Sequence, residues 1–181
     1  MKTASLYTCL MAGALLTLAG CATAPDTQAD KAKLHTDVVN AMTRVKALDP
    51  SLEKQIANAY GYVVFPSVGK GGLVVGGAYG RGEVYEQGKM VGWADLTQAT
   101  IGAQIGGQTF SELILFENKA ALDNFKNGKV KFSAGASAVA LKSGAAVDAK
   151  YTDGVLVFVE PIAGLMVEAS LGGQSFSFKP V

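Results

Sequence analysis

Glycine placed inside β-type runs is the feature that most limits what this chain can fold into. The chain holds 22 glycines, and from Tyr62 onward most of them interrupt segments that otherwise read as strands. Glycine in a strand costs backbone entropy and offers no side chain to pack. It is retained where a sheet bends or where two backbones approach closely. The stretch from Val130 to Ala149 shows the same economy of volume, with Ala134, Ala136, Ala138 and Ala140 on one face and Gly135, Ser137 and Val139 on the other. These patterns predict an α+β fold built on a strongly curved antiparallel sheet or small β-barrel with a narrow interior. A membrane β-barrel is disfavoured, because lipid-facing bands flanked by aromatic girdles are missing.

The strand grammar is preceded by helices. Leu34, Val38, Met42, Val45 and Leu48 recur at steps of three and four, so Asp30 to Leu48 reads as an amphipathic helix. Asp49-Pro50 then reads as a cap and first-turn proline, opening a short helix with Leu52 and Ile56 inward and Gly61 as its stop. Val63-Val64-Phe65 is a short strand that Pro66 terminates. Leu73-Val74-Val75 opens another, and Glu86-Gln87-Gly88-Lys89 reads as a hairpin turn. Val91 to Thr109 and Leu113 to Phe116 follow as strands. Asn118 caps a third, inserted helix carrying Ala121, Leu122 and Phe125, which Asn127-Gly128 closes. Val155 to Val159, Leu165 to Leu171 and Phe176 to Phe178 complete the sheet.

The N-terminus reads as an export signal. Lys2 precedes an apolar region from about Leu6 to Leu18, and the run ends in Leu18-Ala19-Gly20-Cys21. The apolar run is roughly 13 residues, short of the ~20 that span a bilayer. Small residues before a cysteine suit a lipoprotein signal, in which the thiolate of Cys21 accepts the diacylglyceryl group. The expected organisation is a signal peptide over 1–20, an acylated cysteine and flexible tether over 21–29, and one domain over 30–181. Two or three acyl chains on Cys21 would anchor the chain stably. Ala22, rather than aspartate, follows that cysteine. By similarity to envelope lipoproteins, this places the protein on the bacterial outer membrane, at the periplasmic side or the surface.

Composition narrows the chemistry. The 16 basic and 15 acidic residues leave no basic excess once Lys2 departs with the signal, which argues against nucleic acid. Cys9 departs too and Cys21 is acylated, so no thiol remains for a disulfide, metal or redox role. A single histidine, His35, makes a zinc site improbable. Val68-Gly69-Lys70-Gly71-Gly72 lacks the spacing and the hydroxyl of a phosphate loop. It reads as a tight turn, or as a backbone nest whose lysine meets a lipid phosphate. Gly80-Arg81-Gly82 completes no dinucleotide fingerprint. No Ser-His-acid arrangement or carboxylate dyad is formed by the sequence. The expectation is a protein that is not an enzyme and holds no cofactor or metal.

Ala59-Tyr60-Gly61-Tyr62-Val63-Val64-Phe65-Pro66-Ser67-Val68-Gly69-Lys70-Gly71-Gly72 resembles the opening signature of the SYLF domain family. Val75-Gly76-Gly77-Ala78-Tyr79-Gly80-Arg81-Gly82 is similar to its glycine-rich second strand. Trp93 with Gly102, Gln104, Gly106 and Gly107 resembles its central segment, and Leu113 to Asn118 with Leu122 and Phe125 its strand-to-helix passage. The resemblance covers about Lys33 to Phe178. It implies lipid binding: eukaryotic members are described as phosphoinositide-binding modules aided by an amphipathic N-terminal helix, and yeast members as actin-binding. Actin is excluded by the compartment expected here, which leaves anionic phospholipid. Within the matching motif the basic residues are Lys70 and Arg81. In the leading helices Arg44, Lys46 and Lys54 join them as lipid-contact candidates, amid the nearly balancing acids Asp30, Asp37, Asp49 and Glu53. The expected function is a non-catalytic membrane-anchored lipoprotein whose domain binds phospholipid. Its rivals are an envelope protein-interaction or scaffold role, and carriage of one small apolar ligand inside the barrel.

Overall fold

The structure, a computed structural model, describes residues 25–133 and 138–181. The expected signal segment, Cys21 and the alanine-rich stretch at 134–137 lie outside those residues. Helix α1 runs Gln28–Leu48 and is opened by a capping box, in which the Thr27 hydroxyl accepts from the Asp30 amide and the Asp30 carboxylate accepts from that of Thr27. Its buried stripe is Leu34, Val38, Ala41 and Val45. Ala41 joins the stripe unexpectedly, while Met42 is half-buried and Leu48 is exposed. Helix α2 spans Leu52–Asn58. Asp49 turns the chain into it, accepting from the Ser51 amide and hydroxyl and, across the molecule, from the Ala146 amide. The carboxylate is buried, a cost that these donated hydrogen bonds outweigh, holding its pKa below the ordinary value. Gly61 does not stop α2; it opens the first strand.

The strands are β1 (Gly61–Gly72), β2 (Val75–Glu86), β3 (Lys89–Phe116), β4 (Lys131–Ser133), β5 (Ala138–Ala140) and β6 (Val155–Pro180), with helix α3 (Lys119–Lys126) inserted after β3. β1 and β2 form a hairpin, and Gln87 and Gly88 at positive φ make the turn into β3. β3 is shared. Its first half pairs with β2, and its second half passes back along β1. Between them it arches over the hairpin tip, where the Gly102 amide donates to the Val74 carbonyl and the Gln104 amide to that of Leu73. β6 follows β3 along its outer side, from Gly92 against Pro180 to Phe116 against Val155. β4 and β5 each pair with β6.

Two expectations are corrected. The sheet does not close into a barrel: β4 and β5 lie at its two margins, on opposite ends of β6, and no pairing among the described residues joins them. Nor is it wholly antiparallel, since β5 runs parallel to β6. The glycines serve a more local purpose than general curvature. Gly106, at φ +118, sits in the arch where a Cβ would meet the Leu165 carbonyl. Pro66 also fails to end its strand, because the register of β1 slips there against both neighbours. That bulge lets a residue without an N–H sit inside a central strand.

The core occupies both sides of the sheet. On one side α3 buries Leu122 and Phe125 against Val63, Phe65, Val84, Leu96, Ile114, Phe116 and Phe176. On the other, α1 lies over Val64, Trp93, Leu113, Leu115 and Phe158. These are called below the α3 side and the α1 side. Asn118 caps α3 as expected, its side chain accepting from the Ala121 amide at 3.0 Å.

Candidate functional site: the arch end of the sheet

The basic residues expected to contact lipid do not assemble into one face. Strand alternation puts Lys70 on the α3 side, two residues beyond buried Val68. Arg81 lies on the α1 side, where its Nε is 3.4 Å from Asp95 Oδ1 and its Nη2 donates to the Tyr79 hydroxyl. Arg44 reaches Glu160 through Nε and Nη2, and Ser111 donates to the same carboxylate. Lys46 stands 4.0 Å from Glu53. Lys54 is exposed on α2. Most of the leading-helix charge is therefore committed to ion pairs within the domain. Surface pairs of this kind are worth little in stability, but each cancels the long-range pull of its cation.

The conspicuous surface lies where the chain passes over the β1–β2 hairpin. Leu73, Val74 and Val75 at the hairpin tip, Ile101 and Ile105 on the β3 arch, and Leu165 on β6 are all more than 60% exposed. Three separate stretches of chain thus bring large aliphatic side chains to one end of the sheet. Neither α1 nor α3 covers them: α1 packs on β1 and β2 nearer the other end, with Lys31 over Trp93 and His35 beside Glu83. Large aliphatic side chains left exposed together at one end of a sheet suit a contact site. In the sequence this cluster is hidden, because its members lie far apart and only the register of β3 unites them.

Beneath the apolar tip the α3 side is polar. Gln98, Thr100 and Gln104 are buried there, and the Thr100 hydroxyl donates to Gln104 Oε1 at 2.9 Å. Gly76 makes room for this pair: a Cβ at that position would meet Gln104 Oε1 and would lie 2.7 Å from Thr100 Oγ1. Deeper in, Glu112 accepts from Gln174 Nε2 at 3.0 Å. A second concave feature lies on the α1 side, a groove of about 300 Å³ walled by Val38, Val39 and Met42 and floored by Tyr62 and Tyr85, whose rings stack 4.8 Å apart. Burial and the hydrogen bond that Tyr85 donates to Glu83 raise the pKa of its hydroxyl. Among the described residues no helix is long and apolar enough to cross a membrane, and no three metal-ligating side chains converge.

No family model matches the chain. It is similar to Beta cell expansion factor A of Aeromonas veronii, with 30% identity over 145 residues that take in 79% of this chain and 55% of that protein. The chain therefore spans about half the length of the curated relative it matches.

Proposed function

We propose that this protein is a non-catalytic envelope lipoprotein, anchored through acylated Cys21 to the outer membrane, whose SYLF-like domain binds membrane phospholipid. The observation that carries the reading is the exposed aliphatic cluster Leu73, Val74, Val75, Ile101, Ile105 and Leu165. Burying an aliphatic side chain of this size is worth about 1.5–3 kcal/mol. A few such side chains entering lipid exceed anything the dispersed and paired cations supply at ~1 kcal/mol each. The acyl anchor would raise the local concentration of the bilayer, so modest intrinsic affinity suffices. SYLF membership and the lipoprotein signal belong to this proposal, and so does a sheet bent mainly at its arch.

Vesicle co-sedimentation of the chain from Ala22 onward, which carries no acyl group, tests the domain's own affinity. The domain is expected to pellet with phospholipid vesicles. Equal and negligible recovery with neutral and with anionic vesicles would remove the lipid reading.

A protein-interaction role draws on a different observation. Between the residues of β6 paired with β5 (Val157–Val159) and those paired with β4 (Gly173–Ser175), the outer edge of β6 has no strand partner among the described residues. An open edge accepts a strand from another chain. One recurrent protein partner in cell crosslinking, with no lipid affinity, would favour that reading.

A further inference from the structure

The side-chain pattern of the sheet turns inside out along its length, and the turnover falls on one continuous row of residues. On the α3 side, a row of paired residues runs Phe176, Leu96, Gly80, Val68, Phe110 across β6, β3, β2, β1 and back to β3. It is part of the apolar core. The next row on that side, nearer the arch, runs Gln174, Gln98, Ala78, Lys70, Gln108 through the same registers. Beyond it come Thr100 and Gln104. On this side, then, apolar gives way to polar in a single step on four of the five strand segments.

The α1 side changes in the opposite sense. Arg81 and Asp95 pair across β2 and β3 and hold an ion pair. One row nearer the arch stand Tyr79 and Thr97, then Gly77 and Ala99, then Val75 and Ile101. Exposure alternates accordingly: Gln98 and Thr100 are buried, whereas Ala99, Ile101, Ala103 and Ile105 are exposed. Polar residues turned away from the surroundings and apolar residues turned toward them is the arrangement of strands whose surroundings are lipid. Tyr79, exposed and donating to Asp95, stands at the boundary where an interfacial aromatic is favoured.

From these rows we propose that the arch end of the sheet is a wedge that enters the hydrocarbon of one leaflet, and that it recognises hydrocarbon rather than headgroup charge. The height decides between entering and spanning. From Gln98 to the crown of the arch near Ala103 is five strand steps, about 17 Å at ~3.3 Å each. A hydrocarbon core is about 30 Å thick, so the wedge fills one leaflet and leaves the row of Lys70 and Gln108 at headgroup depth. The reach of the N-terminus agrees with this occupant. Cys21 lies six residues before the Thr27 cap of α1, a tether of at most about 21 Å, which keeps the domain at the membrane that holds its anchor. The inference rests on the lipid reading above.

The test uses the chain from Ala22 onward, which has no cysteine of its own, and an environment-sensitive fluorophore on Val74→Cys or, for comparison, on Lys89→Cys at the opposite end. The protein is mixed with phosphatidylcholine vesicles, with or without phosphatidylglycerol, carrying spin-labelled acyl chains. At position 74 the emission is expected to shift blue and to be quenched, and at 89 to remain as in water. Binding should change less than about twofold between neutral and anionic vesicles. Val74→Asp should lower the bound fraction on the order of tenfold with the thermal midpoint unchanged. A water-like probe at 74 on vesicle-bound protein would overturn the wedge and leave the lipid reading standing. A preference for anionic vesicles above tenfold would overturn hydrocarbon recognition. Failure of the unacylated domain to sediment with any vesicle would remove both.

Discussion

Glu112 is 1% exposed on the α3 side of β3, and its carboxylate holds one hydrogen bond, from Gln174. Oε1 has no hydrogen-bond partner among the described residues. Burial pushes its pKa up to about 7, and the bond from Gln174 opposes that shift only in part. Because the folded-state value lies above that of an unfolded glutamate, folding favours the protonated form. The resulting stabilisation is complete below about pH 4 and is lost as pH rises through about 7. Glu112→Gln, which keeps the shape and removes the charge, is expected to raise stability at pH 8 by on the order of 2–3 kcal/mol. It should also flatten the dependence of the thermal midpoint on pH between those limits, measured by thermal unfolding across the range. An unchanged slope would mean that Glu112 does not titrate there. Gln174 ties β6 to the far half of β3 through this bond.

At the scale of elements, α3 is the piece that closes the apolar half. Phe125 is fully buried, with ring centroids 5.1 Å from Phe116 and 5.1 Å from Phe176. Phe125→Ala is expected to cost about 3–5 kcal/mol, read from denaturant unfolding, while leaving the exposed cluster at the other end in place. The elements also mark where sequence reasoning reaches. The hairpin turn at Gln87-Gly88 and the Asn118 cap were legible, because their chemistry is local. The α1 stripe was legible at Leu34, Val38 and Val45 but not at its edges, where Ala41 is buried, Met42 is half-buried and Leu48 is exposed. The long strands were not legible. β6 reads as three short runs because Gly164 and Gly172-Gly173 interrupt its hydrophobic pattern, yet its ladder with β3 continues through all three positions. A glycine that supports a partner backbone and a glycine that ends a strand look alike until the partner is known. The alternation of Ile101, Ala103 and Ile105 with polar or small neighbours is likewise visible in the sequence. Which side faced inward was not, since that depends on α1 and α3 packing on opposite faces. The neighbours of the basic candidates were hidden for a related reason: Arg44 and Arg81 find their acids at Glu160 and Asp95, positions that only the fold brings near.

Taken as a whole, the molecule is a sheet with two ends of opposite character, one packed by helices and one bare. The same two strands, β3 and β6, run through both. Neither end has a ladder of its own, so opening one half must break pairs that continue into the other. β6 is also the last strand to be synthesised, and it pairs across a long stretch of chain, Pro180 against Gly92. Assembly of such distant pairs is slow. Until it is complete, the newly made chain presents β3 with a naked flank along its whole length. A chain truncated after Asp153 is therefore expected to be made as insoluble aggregate, with the full chain soluble under the same expression conditions. The length of that exposure is set by the order in which the strands are synthesised, β3 well before β6.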